Sequence, residues 1–149
     1  MYLDSAIIVK LLVREAGSEW LEQNLSGQSF ESSELSLVEV CAALLFKERK
    51  GEIASQERIR AVEKFLSMIE CEAISLLPLN RPVLDRARAI QLACHPHVPL
   101  RTLDALHVAT CDLNQCGTMS ATDGRIRAAC KQLGIILMPG EIKDIVTIK

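Results

Sequence analysis

Residues 118–138 read TMSATDGRIRAACKQLGIILM. Thr118 to Thr122 reads as a strand, Asp123 opens a helix that runs from Arg125 to Leu133, and Gly134 to Met138 reads as a second strand, closed by Pro139 and Gly140. The same order recurs at the start of the chain. Tyr2-Leu3 is a very short strand, Asp4-Ser5 are residues that commonly cap helices, and Ile7, Ile8, Leu11 and Leu12 follow at helical spacing.

Between these ends, Ser18 starts a helix carrying Trp20, Leu21 and Leu25, and Ser29 to Ser33 forms a second short strand. Glu34 to Arg49 is a helix ended by Gly51, and Ser55 caps the next one, with Ile59, Val62, Phe65, Leu66 and Ile69 on one face. Ala73 to Leu77 reads as a buried strand. Asn80 caps a helix with Pro82 in its first turn, running to about Cys94, and Cys94 to Pro99 is a loop. A further helix starts at Leu100 or Thr102 and is stopped by Gly117. Strands alternating with helices give an α/β domain with a mainly parallel sheet covered on both faces. Residues 1–149 are expected to form one domain.

Composition narrows the function classes. Hydrophobic residues make up 49% and charged residues 24%, a soluble globular profile. The six cysteines are scattered without a CxxC pair, which argues against a zinc site or a disulfide framework. We expect reduced thiols in a cytoplasmic protein, with Cys41 and Cys111 acting as small hydrophobes in apolar helices. Met1 to Asp4 lacks a basic leader region, and no apolar run approaches the ~18 residues of a membrane span, so neither secretion nor membrane insertion is expected. A net charge of −2 and only 3% aromatics disfavour a broadly basic nucleic-acid binder and an aromatic stacking platform. A nucleic acid would have to be held by local basic groups and by metal.

Four acids stand out. Asp4 and Asp123 each follow a strand and precede a helix; each is either a helix N-cap or a ligand-facing group at a strand's carboxyl end. Glu39 is the only charged side chain in Leu37–Phe46, opposite a Val38/Cys41/Leu45 stripe, on a helix apolar enough all round to predict burial. A carboxylate withdrawn from water needs a partner, which would be a bound cation or a distant arginine unless Glu39 sits on an exposed rim. Asp104 lies in Leu-Asp-Ala-Leu-His-Val-Ala, where Arg101 or His107 could pair with it along the helix.

Together these segments resemble the PIN-domain ribonucleases, specifically the small VapC-type toxins, over nearly the full length. The matching stretches are Tyr-Leu-Asp-Ser-Ala with Asp4, Leu-Ser-Leu-Val-Glu-Val with Glu39, Arg-Thr-Leu-Asp-Ala-Leu-His-Val-Ala with Asp104, and Ser-Ala-Thr-Asp-Gly-Arg with Asp123. The resemblance implies a three-layer α/β/α fold and a Mg²⁺- or Mn²⁺-dependent endoribonuclease that leaves a 5′-phosphate and a 3′-hydroxyl. It also implies a homodimer and a cognate antitoxin. In one departure, Ala121 stands where the family often has Ser or Thr; Ser120 or Thr122 is left to supply that hydroxyl.

On this reading Asp4, Glu39, Asp104 and Asp123 are both catalytic and metal-binding. Clustered carboxylates trap a hard cation, which polarises a phosphate and acidifies a bound water. Ser5, Arg14, Thr122 and Arg125 are candidates for contact with metal or RNA, with Arg127 beside Arg125; Lys47 to Lys50 reads as a solvated face. His107 reads as a packed core histidine, and Cys94, His95 and His97 as loop. A haloacid-dehalogenase-like phosphatase would need a second aspartate where Ala6 stands. A noncatalytic PIN-fold module that binds RNA or protein is the remaining alternative. The helices around Trp20–Leu25 and Glu57–Ile69 are expected to receive the antitoxin, with Phe65 and Leu66 in contact.

Overall fold

The computed structural model describes residues 1–142; the last stretch of the expected domain, residues 143–149, lies outside the described residues. Five strands alternate with seven helices: β1 (Tyr2–Leu3), α1 (Ser5–Leu12), α2 (Ser18–Leu25), β2 (Phe30–Ser33), α3 (Ser36–Arg49), α4 (Ser55–Glu70), β3 (Ile74–Leu77), α5 (Arg81–Cys94), α6 (Thr102–Leu113), β4 (Thr118–Ser120), α7 (Gly124–Leu133) and β5 (Ile136–Met138). All strand pairs are parallel, in the order β3-β2-β1-β4-β5.

Two hydrophobic cores sandwich the sheet. Because side chains alternate across a strand, Tyr2 and Leu3 enter different cores. Leu3 packs with residues of α1 to α4 such as Ile7, Leu21, Leu44 and Phe65, while Tyr2 packs with residues of α5 to α7 such as Ile90, Val108 and Ala129. That makes the three-layer α/β/α arrangement.

The strand order places the site. After β1 the chain moves toward β2 and β3; after β4 it moves the opposite way, to β5. Adjacent strands whose connections diverge leave a crevice at their carboxyl ends. The two strands are tied there by the Asp4 amide donating to the Ser120 carbonyl at 3.1 Å.

Local chemistry explains most boundaries. Asp4, Asn80 and Asp123 accept hydrogen bonds from first-turn amides of α1, α5 and α7. At the end of α3, Gly51 at φ 72° lets its own amide reach Glu48 O and the Glu52 amide reach Lys47 O, a Schellman closure. The cap of α4 is Ala54 rather than Ser55. The Glu57 carboxylate takes the Ala54 amide at 2.8 Å, so the serine hydroxyl is not needed there.

Some expectations fail. The Glu39 helix is not buried all round: Val40 and Leu44 are in the core, but Leu37, Val38, Leu45, Phe46 and Cys41 are exposed. Only one stripe of α3 meets the sheet, so the Val38/Cys41/Leu45 stripe faces away from it. Phe65 is 3% exposed and belongs to the core under α4, so of the expected antitoxin-facing pair only Leu66 is on the surface. Arg127 is also interior. Its guanidinium donates to the carbonyls of Ala121, Pro139 and Gly140 at 3.0, 2.9 and 2.7 Å, tying the segment after β4 to that after β5.

Candidate active site

A cleft of about 540 Å³ opens at the carboxyl ends of β1 and β4. Asp4, Glu39, Asp104 and Asp123 all line it, with Ser5, Glu15, Lys47, Leu103 and His107. Four acids from four separate stretches of chain reach this one hollow because each ends or begins an element there: Asp4 and Asp123 cap α1 and α7, Glu39 lies in the first turn of α3, and Asp104 in the first turn of α6.

Each carboxylate commits one oxygen to holding the fold. Asp4 Oδ1 takes the Ile7 amide at 2.8 Å, and Asp123 Oδ1 the Arg125 amide at 2.7 Å. Asp104 Oδ2 takes the Arg101 amide at 3.3 Å, and Glu39 Oε2 is shared by His107 and Ser5, each at 2.6 Å. The second oxygens of Asp4, Glu39 and Asp104 have no hydrogen-bond partner among the described residues, yet none is sealed from solvent. The second oxygen of Asp123 is held by Arg125 Nη2 at 2.7 Å.

Behind Glu39 lies a polar relay that sequence reasoning missed. Tyr2 Oη is 2.7 Å from His107 Nδ1, and His107 Nε2 is 2.6 Å from Glu39 Oε2. The assignment that uses both ring nitrogens has Tyr2 donating to Nδ1 and Nε2–H donating to the carboxylate. Ser5 also meets Ser36 at 3.1 Å, and Ser36 meets Ser32 at 2.7 Å, so the carboxylate rests on buried hydroxyls. His107 is buried against Tyr2, as a packed histidine would be, and it also orients Glu39; it is not the helix-mate of Asp104. The one signal available was its place as the only ionisable ring in the buried run Ala105–Cys111.

Electrostatics differ between the acids. Burial raises the Asp4 carboxyl to about 6; the Ile7 amide and His107 pull it down, while Glu39 and Asp123 push it up. Burial would also raise Glu39, but the bonds from His107 and Ser5 outweigh it and hold that carboxyl below its ordinary value. Burial foremost keeps the Tyr2 phenol well above its usual range, so it remains a donor.

The candidate contacts with metal or RNA divide. Ser5 is in the cleft, and Arg125 bridges two of the acids, with Nε 3.2 Å from Asp104 and Nη2 2.7 Å from Asp123. Arg14 is 81% exposed, paired with Glu19 and away from the cleft. Thr122 does not line the cleft, and neither does Ser120, whose buried hydroxyl has no partner among the described residues. Lys47, read as a solvated charge, does line the cleft, where Glu15 and Glu52 hold it at 2.6 and 3.2 Å. Arg127 is not available to substrate. Among the described residues, no three His, Cys, Asp or Glu side chains stand close enough, as placed, to share one ion. The acids share a cleft, where Arg125 bridges Asp104 and Asp123 and His107 holds Glu39.

The PIN domain family model matches residues 1–132. The chain belongs to the PIN-domain family. Two relatives span almost their whole length against this PIN-domain chain. Ribonuclease VapC46 of Mycobacterium tuberculosis (strain ATCC 25618 / H37Rv) is 36% identical over 93% of this chain and 95% of that protein. Ribonuclease VapC47 of Mycobacterium tuberculosis (strain CDC 1551 / Oshkosh) is 28% identical over 96% and 99%. No helix among the described residues of the PIN domain is long and apolar enough to cross a membrane.

Proposed function

We propose that this PIN-domain chain is a Mg²⁺- or Mn²⁺-dependent endoribonuclease, the toxin of a type II toxin–antitoxin pair that acts in the cytoplasm as a homodimer held in check by a cognate antitoxin. The observation that carries the reading is the cleft itself: three carboxylate oxygens, on Asp4, Glu39 and Asp104, without a donor among the described residues but open to solvent. A set of hard oxygen donors of this kind suits magnesium or manganese. The relatives' names supply the substrate class.

Asp4, Glu39, Asp104 and Asp123 would hold the metal. When bound, it supplies Lewis-acid activation of a phosphate and of a water. The chain's own residues do the rest. Asp4 is raised by burial toward neutrality, which a neighbouring cation would reverse. Tyr2 and His107 fix the rotamer of Glu39 so that its free oxygen is presented in one place. Ser5 sits at the start of α1, where its hydroxyl donates to the same Glu39 oxygen that His107 meets. Lys47 at the cleft wall and Arg125, paired with two of the lining acids, offer positive charge to RNA phosphates in an otherwise acidic hollow. The products would carry a 5′-phosphate and a 3′-hydroxyl.

Incubating the protein with structured RNA in Mg²⁺, then with EDTA, tests this. Cleavage should require the metal and fall at least about a hundredfold in Asp4→Asn and Asp104→Asn. Folded variants that cleave like wild type would contradict the assignment. Metal-independent RNA binding without cleavage would instead favour a noncatalytic module.

A further inference from the structure

Arg125 is in an unusual position. It is the second residue of α7, and its guanidinium reaches from the helix start across to Asp104 on α6 while also holding Asp123. It is the only cation paired with either acid among the described residues. The fit is incomplete. Nη2 makes a directed bond to Asp123 at 2.7 Å, but Nε, 3.2 Å from Asp104, has no aligned acceptor although it is buried. The side chain is also 30% exposed, so it has a way out to solvent.

We propose that Arg125 is an internal counter-ion that holds Asp104 and Asp123 together while the metal is away, and releases them when it binds. This rests on the reading of the cleft as a divalent-metal site. Three points support it. Two carboxylates brought to one place repel unless something positive lies between them, and Arg125 does so here. Asp123 Oδ2 faces either the guanidinium or a dication, because the two like charges would otherwise stand within a few ångströms of each other. Finally, no three acids now share one point, and the residue standing between two of them is Arg125. Once released, the guanidinium remains tethered two residues from Asp123, which lines the cleft. There its planar fork suits a phosphate oxygen pair. The same residue therefore opposes the metal and assists the substrate.

The consequence is a pair of effects with opposite signs. With Mn²⁺ as the probe, titration calorimetry on Arg125→Ala should show binding about tenfold tighter than wild type, the change expected from removing a competitor worth roughly 1.4 kcal/mol. Arg125→Lys keeps the charge but replaces a planar fork, whose Nε and Nη2 reach separate acids, by one ammonium nitrogen on a shorter side chain, and should fall between the two. Cleavage at saturating Mn²⁺ should meanwhile drop in Arg125→Ala. In the unaltered protein, the Arg125 Nε–H resonance should exchange slowly with water without metal and quickly with Mg²⁺, a readout that does not depend on any variant folding.

Equal Mn²⁺ affinity in wild type and Arg125→Ala, or an unchanged Nε–H signal on adding Mg²⁺, overturns the counter-ion role and leaves the metal site standing. An Arg125→Lys affinity equal to wild type, with only Arg125→Ala tighter, reduces the effect to net charge and also overturns it. Absence of Mn²⁺ binding, or binding that Asp4→Asn does not weaken, overturns the metal reading and this proposal with it.

Discussion

Replacing Asp4 by Asn is expected to make the metal-free protein more stable at neutral pH while destroying its activity. Asp4 is 3% exposed and, among the described residues, has one hydrogen bond, from the Ile7 amide, for two oxygens. Its carboxyl is raised from 3.8 to about 6, chiefly by burial. The folded state therefore binds this proton more tightly than the unfolded chain does. The favourable contribution is complete below about 3.8, where both states are protonated, and is lost as pH rises through about 6. Above that the ionised group is a net penalty of roughly 3 kcal/mol, at ~1.36 kcal/mol per pH unit. The same linkage leaves about 1 kcal/mol at pH 4.5. Asparagine keeps the oxygen that caps α1 and carries no charge. Urea unfolding in EDTA should thus show a gain approaching 3 kcal/mol for Asp4→Asn at pH 7.5, shrinking to about 1 kcal/mol at pH 4.5. A variant no more stable than wild type at pH 7.5, or a gain that does not shrink with acid, would refute the burial argument.

Other outcomes follow from the surroundings of the cleft. Tyr2→Phe removes the donor to His107 Nδ1 and leaves a buried acceptor bare, so stability should fall by about 1–3 kcal/mol. Cleavage should fall as well, because the ring no longer fixes Glu39; unfolding midpoints and rates equal to wild type would mean that the relay is not formed. Arg127→Met strands three carbonyls and should cost at least about 3 kcal/mol, with faster amide exchange at Arg125 and Ile126 as the Asp123 turn loosens. A loss below about 1 kcal/mol would show that these bonds are replaceable by water.

Much of this molecule was legible one residue at a time. Asp4, Asn80 and Asp123 precede their helices because a short acceptor side chain satisfies first-turn amides, and that requirement is local. The end of α3 at Gly51 is local too, since only glycine takes φ 72° without strain. Where a feature depended on what lay across space, the reading went astray. Arg127 and Arg125 are two positions apart, and only nearness to Asp123 favours Arg125 as a phosphate contact; the fold makes Arg127 a buried brace and pairs Arg125 with Asp104 and Asp123. Phe65 and Leu66 are neighbours, and only the second is exposed.

The amino-acid order alone carries the succession of strands and helices, the caps of α1, α5 and α7, and the four acids with their positions along the chain. Those follow from backbone hydrogen bonding and from the periodicity of apolar side chains, which are short-range. The tertiary structure alone decided that His107 would orient Glu39, that Arg125 would stand between Asp104 and Asp123, and that Arg127 would be interior. Each of these pairs or braces joins different elements or separate stretches of loop, and their meeting is set by strand order and helix packing, which no local pattern encodes.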